Sequence, residues 1–261
     1  MTSDLPGVDT TVDNGVLRIT LDRPSRMNAV TTETLDAVAD ALEKFSGDAE
    51  VRVAVLTGAG RAFCTGADLT TSTDVSGPPS TATIDAANRV VAALRAFPCP
   101  VIGAVNGPAA GVGVSLALAC DLVVATESSY FLLAFTKVGL MPDGGATALV
   151  AASIGRARAM RMALLAERLP ARDALDAGLI SDVYSDDEFA ASVDALTRRL
   201  ADGPPEAFHL TKDAVNDATL TELDSACARE RTGQEVLLAA PDFAEGVAAF
   251  QEKRPAVFGR A

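Results

Sequence analysis

The first part of the chain shows two different spacings of hydrophobic residues. In residues 10–24, Leu17, Ile19 and Leu21 alternate with polar side chains, and an Asn-Gly pair before them suits a type I′ turn. This stretch therefore predicts a β-hairpin with one buried face. In residues 31–48 the apolar side chains recur three or four positions apart, after a threonine that suits an N-cap, which predicts an amphipathic helix.

Further along the chain, continuous apolar runs typical of buried strands alternate with helical stretches. The runs are VRVAVLTGAG, PVIGAVNG and DLVVAT, and a helical stretch precedes each of the last two. This alternation predicts an α/β architecture. From about residue 156 onward we expect helices only, with Gly178 ending one of them. The segment STDVSGPPSTAT, residues 72–83, predicts a mobile loop because it is rich in Ser, Thr, Gly and Pro.

The composition narrows the classes of function. The chain has 261 residues, 49% of them hydrophobic, which suffices for one large domain or for one domain with a small appendage. Because the net charge is -13, neither nucleic acid nor an anionic membrane is an expected partner. The four cysteines form no C-x-x-C pair, which argues against a metal or redox site and for reduced thiols. With no signal-peptide pattern at the start, we expect a cytoplasmic location.

The single histidine gives little support to a catalytic triad. His209 lies in PPEAFHLTKDAVNDA, a stretch with helical periodicity that is distant in sequence from the glycine-rich loops. A Ser-His-Asp or Cys-His arrangement would need this residue as its base. We expect His209 to have a packing role. We also expect Cys64 to be structural, because its motif contains no activating neighbour.

Two glycine-bearing loops each follow a predicted buried strand, TGAGRAFCTGADL and NGPAAGVGVSLALA. Neither is a dinucleotide fingerprint, because Phe63 and Leu116 replace the third glycine, and neither is a phosphate-binding P-loop. Each loop could instead direct one backbone N–H at the same oxygen atom, so that the two form an oxyanion hole. The alternative is that the glycines only permit close packing of helix and strand.

Five segments spread over nearly the whole chain form a further pattern: LDRPSRMNAV, GAGRAFCTGADL, AVNGPAAGVGVSLALACD, FTKVGLMPDGGAT and EGVAAFQEKRPAVFG. In order and spacing they resemble the crotonase superfamily, the enoyl-CoA hydratases and isomerases. The resemblance implies an α/β, crotonase-like spiral of ββα units with a helical C-terminal region. It implies a core with the acyl-CoA site in residues 1–200, and helices in residues 201–261 that make oligomer contacts and complete the CoA site.

The same resemblance implies partners and an assembly. The substrate would be an acyl-CoA thioester, and no cofactor or metal would be needed besides the coenzyme A that belongs to this substrate. The protein would form a homotrimer or a hexamer.

The resemblance also implies roles for individual residues. The backbone N–H groups of Ala67 and Val112 correspond to the two donors that stabilise a thioester enolate in this superfamily. The residues that correspond to the substrate groove are Arg26, Met27, Ala29, Ala67, Asp68, Leu69, Ala110, Gly111, Val112, Ser115, Phe135, Leu140 and Lys253.

Charged residues near these motifs have two interpretations. The candidates for binding the CoA phosphates are Arg23, Arg26, Lys253 and Arg254, each of which could instead be a solvated surface cation. Asp68 corresponds to an acid that serves the hydrogen bonding of its own loop more than chemistry.

The acids that a hydratase of this superfamily uses are missing. Typical hydratases carry two glutamates that hold the attacking water and move its proton. The corresponding positions are Ser115 and Phe135, and neither side chain is an effective base near neutral pH. Asp143 in GLMPDGGAT resembles instead the PD-x-G aspartate of the enoyl-CoA isomerase branch. An alternative is that Asp143 only caps the helix that follows.

This resemblance implies an isomerase in which Asp143 removes the α-proton of a β,γ-enoyl-CoA and returns it at the γ-carbon. An apolar pocket around Phe135, Leu140 and Met141 would raise the pKa of Asp143 to a useful value. The alternatives are a hydratase in which Asp143 activates water, and a non-catalytic acyl-CoA binder. A nicotinamide dehydrogenase is disfavoured by the broken glycine fingerprints.

Overall fold

The structure is a computed structural model that describes residues 7–69 and 80–259. The strands in these ranges are β1 Val8–Asp13, β2 Val16–Leu21, β3 Val53–Gly58, β4 Val101–Val105, β5 Ala109–Ala110, β6 Leu122–Thr126, β7 Tyr130–Leu132, β8 Leu169–Pro170 and β9 Asp182–Tyr184. The helices are α1 Thr32–Phe45, α2 Ala82–Ala96, α3 Val112–Leu118, α4 Ala146–Leu165, α5 Ala171–Ala177, α6 Phe189–Ala201, α7 Pro205–Thr219, α8 Leu223–Leu238 and α9 Pro241–Gln251. Short 3-10 helices cover Pro24–Arg26 and Ala134–Val138.

The described strands form two sheets. The larger sheet has the order β1-β2-β3-β4-β6-β9, in which β1 and β2 are antiparallel and the later neighbours are parallel. The smaller sheet has the order β5-β7-β8. The chain places β4 and then β6 in the larger sheet, and each is followed by a strand of the smaller sheet and a helix. This repetition makes the fold the expected α/β spiral of ββα units, with helices α7 to α9 at its C-terminal end.

The predicted hairpin and first helix are confirmed. Asn14 and Gly15 both adopt positive φ, 49° and 78°, as a type I′ turn requires. Alternate residues of β2 are buried, as its pattern predicts. At the start of α1, the side chain of Thr31 accepts a hydrogen bond from the Thr34 N–H at 3.3 Å and so caps the helix.

The continuous apolar runs are buried on both faces of the larger sheet. On one face the core includes Leu56 of β3 together with Leu42 of α1 and Leu94 of α2. On the other face, Val55 of β3 packs in a cluster with Phe189 of α6. Parallel strands covered by helices on both faces need no regular polar positions, which explains why these runs show no alternation.

The expectation that strands end near residue 156 is wrong. β8 pairs with β7, and β9 adds a further strand to the larger sheet, with Asp182 opposite Val124. These strands have only two and three residues, too few for a periodic pattern to show in the sequence. They form because β7 and β6 offer free hydrogen-bonding edges at which they pair. The end of α5 at Gly178, with a φ of 80°, is confirmed.

The predicted mobile loop at residues 72–83 falls mostly outside the described residues, which omit residues 70–79. Its last two residues, Ala82 and Thr83, begin α2. Within the described ranges, no helix combines the length and the apolar character that crossing a bilayer requires.

Candidate active site

The two glycine-bearing loops lie side by side where β3 and β4 end. The Cys64 N–H donates to the Pro108 carbonyl at 3.2 Å, and the Ala110 N–H donates to the Cys64 carbonyl at 2.8 Å. Cys64 therefore pairs with Ala109 as in a parallel sheet. A Cβ on Gly113 would lie 2.3 Å from the Cys64 carbonyl oxygen, so α3 can pass the first loop only with glycine at this position.

The loops also approach each other closely at Gly66 and Gly111. Both glycines have positive φ, 99° and 55°, and a Cβ on Gly111 would lie 3.4 Å from the Gly66 Cα. Ala67 and Val112 are the next residues of the two loops. The contact therefore places their backbone amides on adjoining stretches of main chain.

The hydrogen bonding around Ala67 directs its N–H away from the chain it pairs with. The Val30 N–H donates to the Gly66 carbonyl and the Val30 carbonyl accepts from Asp68, both at 2.9 Å, which is a parallel bridge to Ala67. The bridged residue of such a pair points its own N–H to the opposite side. Val112 begins α3, and N–H groups in the first turn of a helix have no partner within it.

A cavity of about 320 Å³ lies where these loops meet. Ala67 and Val112 border it together with Asp143, which is the only acidic residue among the described lining residues. Most of the lining is apolar. The other predicted groove residues that border the cavity are Leu69, Ala110, Gly111, Phe135 and Leu140.

Asp143 lies between the second 3-10 helix and α4, with 8% of its surface exposed. Burial raises its pKa to about 7, while a hydrogen bond from Gln234 lowers the pKa and the nearby charge of Glu230 raises it. A carboxyl group with this pKa is present as acid and as base near neutral pH, which suits a group that both takes up and returns a proton.

The side chain of Asp143 does not cap α4, so the capping alternative is wrong. The cap position is Gly145. The carboxylate of Glu230, in α8, accepts hydrogen bonds from the Gly145 N–H at 2.7 Å and the Thr147 N–H at 2.8 Å. A residue far away in the sequence therefore satisfies the free amides at this helix start.

Ser115 does not border the cavity, contrary to expectation. It is fully buried, against Gly144, and its hydroxyl donates to the Asp143 carbonyl oxygen at 2.7 Å. Because α3 turns this side chain toward the segment that carries Asp143, the hydroxyl holds that segment and does not face substrate. Phe135, at the other missing glutamate position, forms part of the cavity wall.

Arg23 is used inside the protein and is not placed to bind a phosphate. Its guanidinium contacts the Asp68 carboxylate at 2.8 Å and donates to the Ala29 carbonyl. The Asp68 side chain is 3% exposed, so this pair fixes the loop from within. Asp68 therefore has the loop-bonding role expected of it, and its carboxylate faces Arg23 and not the cavity.

The other three predicted phosphate partners lie at the surface. Arg254 pairs with Glu245 and Glu252, in both cases at 2.6 Å. Arg26 and Lys253 are exposed, Arg26 on the turn that leads to Met27 and Lys253 just after α9. The predicted groove residues Met27 and Ala29 are half-buried.

Cys64 and His209 are not placed for catalysis. Burial raises the pKa of the Cys64 thiol to about 12, and only the thiolate is a strong nucleophile. His209 lies on α7 with Nε2 3.7 Å from the Asp213 carboxylate, and it does not border the cavity. Structural roles for both residues agree with this placement.

Sequence reasoning missed two residues of α8 that contact the segment around Asp143. Glu230 accepts the amides at the start of α4, and Gln234 donates from Nε2 to Asp143 Oδ2 at 2.8 Å. Both side chains belong to residues that are only 1% exposed. Two polar residues four positions apart share one face of a helix, but nothing in the sequence marks that face as buried.

A spiral of ββα units, in which two backbone turns and one acid border a single cavity, is the architecture of the crotonase superfamily. The family model described as enoyl-CoA hydratase/isomerase matches residues 11–261. The chain belongs to this family of acyl-CoA-transforming enzymes.

Individual relatives include both kinds of enzyme. The 1,2-epoxyphenylacetyl-CoA isomerase of Escherichia coli is 41% identical over 251 residues, covering 95% of this chain and 96% of that protein. The 2,3-dehydroadipyl-CoA hydratase of the same organism is 37% identical over 240 residues, covering 92% and 93%. The crystal structure of an enoyl-CoA hydratase from Mycobacterium avium subsp. paratuberculosis has a TM-score of 0.92 at 52% identity, covering 98% of this chain and 100% of that one.

Proposed function

We propose that this protein is an enoyl-CoA isomerase that moves a double bond from the β,γ to the α,β position of an acyl-CoA thioester. The backbone amides of Ala67 and Val112 hold the thioester oxygen, and Asp143 is the acid–base catalyst. One observation carries the proposal. Asp143 is a buried carboxyl group with a pKa near 7 in the same apolar cavity that both amide-bearing residues border.

The proposed reaction needs a single acid–base group. The Asp143 carboxylate removes a proton from the α-carbon, and the electron pair moves into the thioester, whose oxygen becomes negative. The two amides stabilise this dienolate. Asp143, now a carboxylic acid, returns the proton to the γ-carbon, so that the double bond lies between the α- and β-carbons and the carboxylate is restored. No metal or redox group takes part, and coenzyme A enters as part of the substrate.

The groove for the CoA portion is proposed to run past Met27, Ala29 and Leu69. The phosphates are assigned to Arg26 and Lys253, because their side chains are exposed to solvent. Local cations are needed here, since a net charge of -13 repels an anionic ligand at longer range.

The test is substitution of Asp143 by asparagine. We expect Asp143→Asn to lower kcat for 3-enoyl-CoA isomerisation by about 10²- to 10⁴-fold, the usual contribution of an acid–base group, because an amide cannot accept the α-proton. Binding of the substrate should stay within about twofold of wild type, since the oxyanion donors are unchanged. Steady-state kinetics and calorimetric titration with a saturated acyl-CoA measure the two effects.

The matched control is Asp217→Asn, which removes an exposed carboxylate on α7 and should leave both quantities unchanged. Isomerase activity in Asp143→Asn close to that of wild type would show that another group moves the proton. A wild type that binds acyl-CoA but converts neither a 3-enoyl-CoA nor a 2-enoyl-CoA would instead favour a non-catalytic binder.

Hydration of a trans-2-enoyl-CoA is the second candidate function, and the 52% identity to a crystal structure described as an enoyl-CoA hydratase favours it. In that reaction Asp143 would activate the water. The same substrate panel separates the candidates. Water addition to the 2-enoyl substrate with no double-bond shift in the 3-enoyl substrate would assign the chain as a hydratase.

We also propose a homotrimer or hexamer in the cytoplasm. Large apolar side chains are exposed on the single chain, among them Leu164 and Leu165 in α4 and Leu210 in α7, at 62%, 56% and 58% exposure. Exposed apolar groups of this kind are typical of surfaces that associate. The four cysteines are free thiols, which suits a reducing compartment.

A further inference from the structure

Helix α8 presents two buried polar residues to the segment that carries Asp143. Glu230 and Gln234 lie four positions apart, so they occupy one face of the helix, one turn from each other. Each is only 1% exposed. Burying a polar side chain costs free energy unless its hydrogen bonds are made. The hydrogen-bond partners of Glu230 and Gln234 therefore indicate the role of this helix face.

The side-chain amide of Gln234 donates hydrogen bonds both to Asp143 and to the backbone two residues before it. Its Nε2 donates to Asp143 Oδ2 at 2.8 Å and to the Met141 carbonyl oxygen at 2.7 Å. These two acceptors fix the amide orientation, because a flipped amide would place an oxygen against the Met141 carbonyl oxygen. Gln234 Oε1 is buried and has no partner among the described residues. The fold therefore tolerates an unsatisfied acceptor and keeps an N–H directed at Asp143.

Glu230 binds the same segment, but its effect on the charge of Asp143 is opposite to that of Gln234. It accepts three hydrogen bonds, from the Gly145 N–H at 2.7 Å, the Thr147 N–H at 2.8 Å and the Thr147 hydroxyl at 2.5 Å. Burial raises the pKa of Glu230, whereas these three hydrogen bonds lower it and favour the carboxylate. Its charge disfavours a second negative charge on nearby Asp143 and raises the pKa of that group, whereas the Gln234 hydrogen bond lowers it.

We propose that Gln234 and Glu230 are a pair of opposed positioning residues, in which the Gln234 amide holds and favours the carboxylate of Asp143 while the Glu230 charge favours its carboxylic acid. The inference rests on the proposed acid–base role of Asp143. A group that must take up a proton and return it in one turnover needs neither form to be strongly preferred. One face of α8 supplies both the hydrogen bond that favours the carboxylate and the charge that favours the carboxylic acid.

Few other titratable groups face Asp143 in the described part of the chain. Cys227 of α8 lies near Gly145, where a Cβ would be 3.4 Å from its Sγ, and burial raises the pKa of this thiol to about 11, so that it is uncharged near neutral pH. Tyr130 of β7 and Lys137 of the second 3-10 helix also border the cavity, and Lys137 is exposed to solvent. The sign of the local charge therefore depends mainly on Glu230.

The test compares pH profiles of kcat/KM for variants of the two residues. The base must be ionised, so wild-type activity should rise through an acidic limb centred near pH 7. Gln234→Met removes the N–H donor and should move this limb to higher pH by roughly one unit, with about a fivefold loss at pH 7. Gln234→Glu keeps the size of the side chain, places a second carboxyl group beside Asp143, and should move the limb in the same direction.

Glu230→Gln should move the acidic limb to lower pH. In this variant, kcat/KM at pH 6 should therefore be a larger fraction of the variant's maximum value than it is in wild type. Glu230→Asp keeps the charge and shortens the side chain, so it should leave the limb near the wild-type pH even if the start of α4 is weakened. The matched control is Glu235→Gln, an exposed neighbour on α8, which should leave the profile unchanged.

Shifts of opposite sign in the Gln234 and Glu230 variants support the proposal, because a purely structural role moves rate or stability but not the limb in two directions. An unmoved limb in Gln234→Glu, or movement of both sets of variants in the same direction, overturns it. If Gln234→Met does not fold, the Gln234→Glu variant alone tests the role of Gln234. Failure of the proposed function is distinguishable, because it appears as retained isomerase activity in Asp143→Asn whatever the α8 variants do.

Discussion

A carboxyl group that is buried in an apolar cavity destabilises the folded state whenever it ionises. The pKa of Asp143 is about 7 in the folded protein, against an ordinary value of 3.8. Since the folded value is the higher one, the folded state keeps a proton that the unfolded chain loses. This retained proton stabilises the folded state below pH 4. The stabilisation is lost as the pH rises to 7, and the loss amounts to up to about 4 kcal/mol.

Asp143→Asn should therefore stabilise the protein in a pH-dependent way. The amide stays neutral and can still accept the hydrogen bond from Gln234, so the difference in free energy of unfolding from wild type should be small near pH 4 and reach a few kcal/mol above pH 8. Urea unfolding at several pH values measures it, with Asp217→Asn as the control. A difference that is equal at all pH values would mean that Asp143 is not buried in its ionised form.

At the scale of elements, the contact between α3 and the first glycine-bearing loop positions the two amides. Gly113 lies in α3 directly after Val112, and its missing Cβ leaves room for the Cys64 carbonyl. Both proposed oxyanion donors therefore depend on how closely a helix can approach a loop.

Gly113→Ala should impair catalysis more than its size suggests. The new Cβ would lie 2.3 Å from the Cys64 carbonyl oxygen, so helix and loop must separate and the Val112 amide must move. We expect a loss of about 10²-fold in kcat, as for removal of one oxyanion donor, and a destabilisation of about 1–3 kcal/mol. Gly47→Ala, where no atom lies within 4 Å of the new Cβ, is the control and should change neither quantity appreciably. Equal behaviour of the two variants would contradict the role of this contact.

Elements with a strong periodic pattern of hydrophobic residues could be predicted from the sequence. Short elements that form only by pairing with an adjacent strand could not. β2 and α1 show their patterns within a few residues and are found as expected. β9 has three residues and forms because β6 leaves an edge free. The helix α8 was predicted as a helix, but its buried face carries the polar pair Glu230 and Gln234, whose partners lie more than 80 positions earlier in the chain.

At the scale of the whole molecule, the spiral brings together groups that are far apart in sequence. Alternation of strands between the two sheets returns the chain repeatedly to one region, where the loops after β3 and β4 meet the segment before α4. The C-terminal helices then close this region from outside. They also expose apolar side chains, which leads to a prediction about assembly.

In solution, the mass of the particle should be three or six times the 26.8 kDa of the chain. Association is expected because a monomer would leave the exposed apolar surface of α4 and α7 in water, and the numbers three and six are those that the resemblance to the superfamily implies. Light scattering coupled to size-exclusion chromatography measures this mass. Leu210→Lys should lower it if α7 takes part, whereas Thr211→Lys, at the neighbouring exposed position, should have a smaller effect. A wild-type mass of a single chain would contradict the prediction.

The sequence by itself determined the alternation of strands and helices, the two glycine-bearing loops and the identity of the acid at position 143, because each is encoded by residues close together in the chain. Only the tertiary structure decided that Arg23 serves Asp68, that Ser115 lies behind the cavity, and that Glu230 and Gln234 face the acid. The physical reason is that burial, and with it the pKa of Asp143 and the partner of every charge, depends on which distant segments exclude water together.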